Sequence, residues 1–291
     1  MMRIDAHVHL WRFTAQEYPW ISDAMQPLRQ DRLAADLRAQ MLAYDVHACV
    51  AVQAREKEGE TDFLLALASE NPWIAAVIGW VDLTRNDVAQ RIERWLSAAK
   101  LRGFRYVLQN NPQTPDLVAG TVFRNAVRQL QRRSLVYELL ISADQLKVMV
   151  PFCSALDDHW LVLDHLGKPD IRGAPLEQWR REVQPLADLP HVACKLSGLV
   201  TEAADARGEF DEERIAQYLD VALELFGPDR ILFGTDWPVC TLARSYGETT
   251  GLIERWSRQL SPAVQASLWS GTAQRIYGLT QVIREPAAAG V

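Results

Sequence analysis

Arg3-Ile4-Asp5-Ala6-His7-Val8-His9 near the start of the chain and Arg230-Ile231-Leu232-Phe233-Gly234-Thr235-Asp236 near its end share one build. Each is a short apolar run that finishes on groups able to take a proton or hold a metal. Six similar runs lie between them: Ala48 to Gln53, Ile74 to Val81, Gly103 to Leu108, Leu135 to Ile141, Leu161 to Leu166 and Val192 to Gly198. Nearly continuous apolar strands suit a parallel sheet covered on both faces. Helix-period segments separate them, among them Asp31 to Tyr44, Thr61 to Glu70, Val88 to Lys100, Phe123 to Arg133 and Glu212 to Phe226, the last closed by Gly227-Pro228. Strand and helix alternating eight times predict an α/β fold, a single (β/α)8 TIM barrel. At 291 residues the length fits one barrel domain over 1–291, with a frayed tail from about Glu285.

Working outward, 48% hydrophobic and 23% charged residues are enough to build a large core and exclude disorder. The net charge of −6 argues against a nucleic-acid binder, which needs clustered Lys and Arg. No apolar stretch reaches the length of a membrane span and the N-terminus carries no leader pattern, so a cytoplasmic protein without membrane partners is expected. Cys49, Cys153, Cys194 and Cys240 lie too far apart to suggest a disulfide framework or a cysteine zinc site.

Ionisable residues at the carboxyl ends of buried strands need a reason, because that rim is where barrel enzymes place their active sites. The period of two puts His7 and His9 on one side of the first strand, where both can chelate one ion. By itself an H-x-H pair is more often a pair of hydrogen-bonded loop histidines. Asp236 ends the eighth strand, which a closed barrel sets beside the first; its bland reading is a helix cap. Of the adjacent Asp164 and His165, one should face the barrel and the other the helices, and His165 is taken as the inward one. Glu138 is an acid in an apolar run, costly to bury without a cation or metal. Arg105 offers a fork-shaped donor for a substrate carbonyl or carboxylate, or else a surface salt bridge. Lys195 and Gln53 are further substrate-binding candidates. Trp237, with Trp11 and Trp80, could wall the pocket or be plain core. Asp5, on the same side as His7 by alternation but deeper, is read as a support residue.

The stretches Ile4–Trp11, Val77–Leu83, Gly103–Arg105, Leu163–Pro169, Lys195–Leu199 and Arg230–Pro238, taken together, resemble the amidohydrolase superfamily and, within it, the sugar-lactonase branch. The resemblance spans nearly the whole chain. It implies hydrolysis of an aldonolactone such as L-fuconolactone in carbohydrate breakdown, with metal or metal-like chemistry at His7 and His9, a polar partner at His165 and a general acid/base at Asp236. Many superfamily members carry a histidine or modified lysine on strand four or five, where this chain has Glu138, so a two-metal centre is not expected. The implied cofactor is one divalent ion, zinc first, held by His7, His9, Glu138 and Asp236, and dispensable in some members of the branch. The rival readings are a metal-dependent decarboxylase or hydrolase of a small unsaturated or aromatic acid, which would want more histidines and an arginine cluster, and a non-catalytic barrel that binds sugar acids.

Overall fold

A computed structural model describes residues 1–279, so the tail expected from Glu285 lies outside the described residues. Eight parallel strands follow one another in sequence order around one sheet: β1 Ile4–Val8, β2 Ala48–Val52, β3 Ile74–Gly79, β4 Leu101–Val107, β5 Val136–Leu140, β6 Leu161–Leu163, β7 Val192–Leu196 and β8 Ile231–Phe233. The ring closes where Val8 bridges Trp237, with Asp236 N–H donating to His7 O at 2.9 Å and His9 N–H to Trp237 O at 2.6 Å. The fold is the (β/α)8 barrel.

The helices α1 Ala34–Ala43, α2 Glu58–Glu70, α3 Val88–Glu93, α4 Thr114–Ala119, α5 Thr121–Gln131, α6 Leu146–Ser154, α7 Leu176–Ala187, α8 Leu199–Ala203, α9 Glu212–Phe226, α10 Tyr246–Ser257 and α11 Pro262–Ala266 follow the strands around the barrel, and α12 Thr272–Ile276 ends the helical part of the described chain. The segment expected to be helical to Lys100 stops at Glu93. Lys100 O already accepts from Val77 N–H in the sheet, so tertiary pairing overrides helix period there. None of the described helices is long and apolar enough to cross a membrane. All four cysteines are buried and unpaired.

Two apolar clusters result. A shell of strand and helix side chains surrounds the barrel, and a smaller set inside it joins Ile4, Ala6, Val50, Val136, Val162 and Leu232 to Ala273, Ile276 and Tyr277. The end of the described chain thus plugs the bottom of the barrel. The β1–β2 register shifts between Asp5 and Val8. That bulge corrects the simple alternation expected of β1: Ile4 and Ala6 belong to the inner cluster and Val8 to the shell. Asp5 does act as a support, accepting from His7 N–H at 3.1 Å, Thr235 N–H at 2.9 Å and Thr235 Oγ at 2.6 Å, a direct tie between β1 and the end of β8.

Strands β4 and β5 approach so closely that a Cβ on Gly103 would run into the Val136 carbonyl and stand 3.1 Å from Ile78 Cδ1. Gly103→Ala should therefore cost about 1–3 kcal/mol of overpacking. Urea unfolding of the variant checks this, and an unchanged midpoint would refute the close approach.

Candidate active site

The site is built upward from buried charge. On β7, the Lys195 ammonium meets Glu138 Oε1 at 2.6 Å, Asp164 Oδ1 at 3.2 Å and His7 Nδ1 at 3.1 Å, and Lys195, Glu138, Asp164 and His7 are all without solvent exposure. From below, Tyr277 Oη donates to Glu138 Oε1 at 2.6 Å. Arg105 on β4 crosses the barrel, Nη1 donating to Asp164 Oδ2 at 2.9 Å and Nη2 to Gln53 O at 2.6 Å. Burial pushes the Glu138 carboxyl up from 4.5 to about 7 despite Lys195, because Asp164 shares the same ammonium. Burial also opposes ionisation of Asp164, but Lys195, His7 and Arg105 hold it well below the ordinary carboxylate range.

Above this layer stand the histidines and Asp236. His9 Nδ1 lies 2.8 Å from Val52 O, which can only accept, so Nδ1 is the donor and a neutral ring turns its Nε2 lone pair inward. That nitrogen is 3.2 Å from His7 Nε2 and 3.2 Å from Asp236 Oδ1; His7 Nε2 to Asp236 Oδ1 is 3.6 Å. Burial, then Lys195, keeps His7 well below the ordinary histidine value. His165 is lowered to about 4, burial outweighing the carboxylates of Asp236 and Asp164. Its Nδ1 pairs with Ser197 Oγ at 2.9 Å, and its ring lies 4.5 Å from that of His7. Burial disfavours the Asp236 anion, but the surrounding imidazoles of His165, His9 and His7 outweigh it and hold Asp236 well below its ordinary range.

The backbone is shaped for this convergence. Asp236 (φ 60°), His165 (φ 54°) and Leu166 (φ 56°) are left-handed, a region uncommon for non-glycine residues. Gly198 (φ 68°) leaves room for the imidazole, since a Cβ there would sit 2.8 Å from His165 Cγ.

These turns correct the either-or expected of Asp164 and His165. Strand β6 ends at Leu163, alternation lapses, and both residues enter the site. His9, His165, Asp236, Arg105 and Gln53 line a cavity of about 620 Å³ at the strands' carboxyl ends. His7, wholly buried, stands just behind them with its Nε2 3.2 Å from that of His9, and three further expected residues do not reach the cavity. Lys195 lies beneath the histidines, bound to protein carboxylates rather than facing substrate. Trp237 is 3% exposed and packs in the shell, as its indole follows the left-handed turn at Asp236. Glu138 is held by Lys195 and Tyr277 and joins neither group of possible metal donors, which among the described residues are His7–His9–Asp236 and His7–Asp164–His165. Trp11 is buried core and Trp80 stacks on Tyr106; the indole in the cavity wall is Trp20, carried by the first loop and donating to Ala54 O at 2.7 Å. Trp20 and Tyr277 carry no motif that would single them out in the sequence.

A barrel with paired imidazoles, a carboxylate and a buried guanidinium converging at its strand ends has the makings of a hydrolytic centre. The chain belongs to the amidohydrolase family, which it matches over residues 4–279. A Burkholderia multivorans protein named L-fucono-1,5-lactonase is 47% identical over 99% of this chain and 98% of its own length. Another of that name from Burkholderia ambifaria is 31% identical, covering 94% of this chain and 95% of its own. The crystal structure of an amidohydrolase from Burkholderia multivorans with bound zinc superposes with a TM-score of 0.93 at 47% identity, covering 96% of this chain and 99% of that one.

The raised Glu138 carboxyl has a consequence for stability. Its folded value lies above the unfolded one, so the native state holds the proton longer. The stability it contributes is complete below pH 4.5 and is lost as pH rises through about 7. Glu138→Gln keeps an acceptor for Lys195 and Tyr277 and should remove a decline of about 2–3 kcal/mol over that window. Urea titrations at about pH 5 and about pH 8 measure it, and an equal pH slope in parent and variant would contradict the assignment.

Proposed function

We propose that this chain hydrolyses the ester bond of a neutral aldonolactone, with L-fucono-1,5-lactone the first candidate, to the open sugar acid in cytoplasmic carbohydrate breakdown. The observation that carries the reading is the convergence of an ionised Asp236 with His7, His9 and His165 beside a buried guanidinium, in a chain 47% identical to a lactonase over almost its whole length. Single-domain organisation is part of the proposal.

Lactone opening needs a proton removed from water, the carbonyl oxygen stabilised as it gains charge, and a proton returned to the leaving alkoxide. Asp236 is kept ionised and takes the first proton as the water oxygen bonds to the carbonyl carbon. The ring C–O bond then breaks, and the proton held on Asp236 passes to the ring oxygen. His165, uncharged and oriented by Ser197, supports the carbonyl oxygen from the cavity wall, with Arg105 close by; Gln53 and Trp20 bound the sugar.

The donor set also fits a divalent ion. Three ligands of a tetrahedral zinc about 2.0 Å away stand about 3.3 Å apart, and the separations among His7 Nε2, His9 Nε2 and Asp236 Oδ1 are 3.2, 3.2 and 3.6 Å. These three residues would hold one ion, with zinc favoured by the imidazoles, and bound there it would polarise the carbonyl as a Lewis acid.

Asp236→Asn should lower turnover of a sugar lactone about 10²- to 10⁴-fold while thermal unfolding and binding of an unreactive analogue are kept. A stable variant with near-parental turnover would move the base role to His165. Elemental analysis should find no more than one divalent ion per chain, lost in His9→Ala; undiminished metal in that variant would remove His9 from the donor set.

A further inference from the structure

Four cations line the cavity, and each already has a carboxylate. Arg55 pairs with Glu60 at 2.7 Å and with Glu17, Lys57 with Glu17 at 2.7 Å, Arg105 with Asp164 at 2.9 Å and Lys168 with Glu202 at 3.1 Å. Glu56, in the same wall, has no ion pair or hydrogen bond among the described residues. A guanidinium or ammonium already bound to a carboxylate has little attraction left for an anionic ligand. An unpaired carboxylate in the wall of a ligand cavity raises the free energy of any second carboxylate placed beside it.

We infer that the cavity is a charge filter in which Glu56 is a specificity-determining residue that admits an uncharged lactone and disfavours a carboxylate. This rests on the proposed reaction, whose substrate is neutral and whose product is an acid, and deepens it in two ways. The filter excludes lactones that carry acid groups, and it hastens departure of the open acid once the ester bond is cut. A small-acid decarboxylase would need the opposite, a cation left free to hold its substrate.

The test is calorimetric binding of the open aldonate and of an unreactive neutral cyclic analogue to the parent, Glu56→Gln and Glu202→Gln. The first variant removes the unpaired anion; the second frees Lys168 from outside the cavity. In the parent the neutral analogue should bind more tightly than the acid. In each variant the acid should bind about 2- to 5-fold more tightly, as expected for removing or adding one solvent-accessible charge, and the gain should shrink as salt rises. A merely structural effect would not show that salt dependence. The inference falls if the parent prefers the acid, if it binds neither ligand, or if both variants bind the acid as the parent does. If the ligand preferences hold but no lactone is opened, the filter stands and the hydrolase reading fails. If lactones are opened while the variants leave acid binding unchanged, the filter alone fails.

Discussion

The Lys195 ammonium is the contact on which the site depends. It is wholly buried, and a lone charge there would cost several kcal/mol. Glu138 and Asp164 offset that cost on two sides, and His7 Nδ1 lies 3.1 Å away on a third. Tyr277 then holds Glu138, and Arg105 holds Asp164. Strands β1, β4, β5 and β7, the turn after β6 and the segment after α12 are joined through a few polar atoms. Removing any one of those side chains would take a partner from a buried charge, so the members of the layer hold one another in place.

Rigidity beneath the histidines matters for the chemistry above. Imidazole lone pairs and a carboxylate oxygen repel one another at 3.2–3.6 Å unless a proton or cation lies between them. The arrangement persists because each group is fixed from behind: His9 by Val52 O, His7 by Asp164, His165 by Ser197. Preorganised groups of this kind need no rearrangement when charge develops on a substrate. The first loop supplies the remaining wall. It folds on its own small core of Trp11, Tyr18, Ile21 and Leu28 and is tied to the β2 end through Trp20 and through Glu17 to Arg55 and Lys57.

The sequence by itself determined the barrel, because eight apolar runs alternating with helical periods have one compact closed solution, and the strands keep their order around the ring. It also determined that His7, His9 and Asp236 meet, since closure sets the last strand end beside the first. Tertiary structure alone decided the fate of Glu138, Lys195, Asp164 and Trp237. A strand pattern tells which residues are buried but not how deep in the barrel each lies, and depth is what parts Glu138 and Lys195 from the cavity. Nor does it announce left-handed turns: those at His165 and Asp236 break the alternation of side chains, bringing Asp164 in and sending Trp237 out. Tyr277, more than a hundred residues from Glu138 in sequence, reaches it only because the chain end plugs the barrel. Local pattern cannot encode a contact whose two partners are brought together by closure of the whole ring.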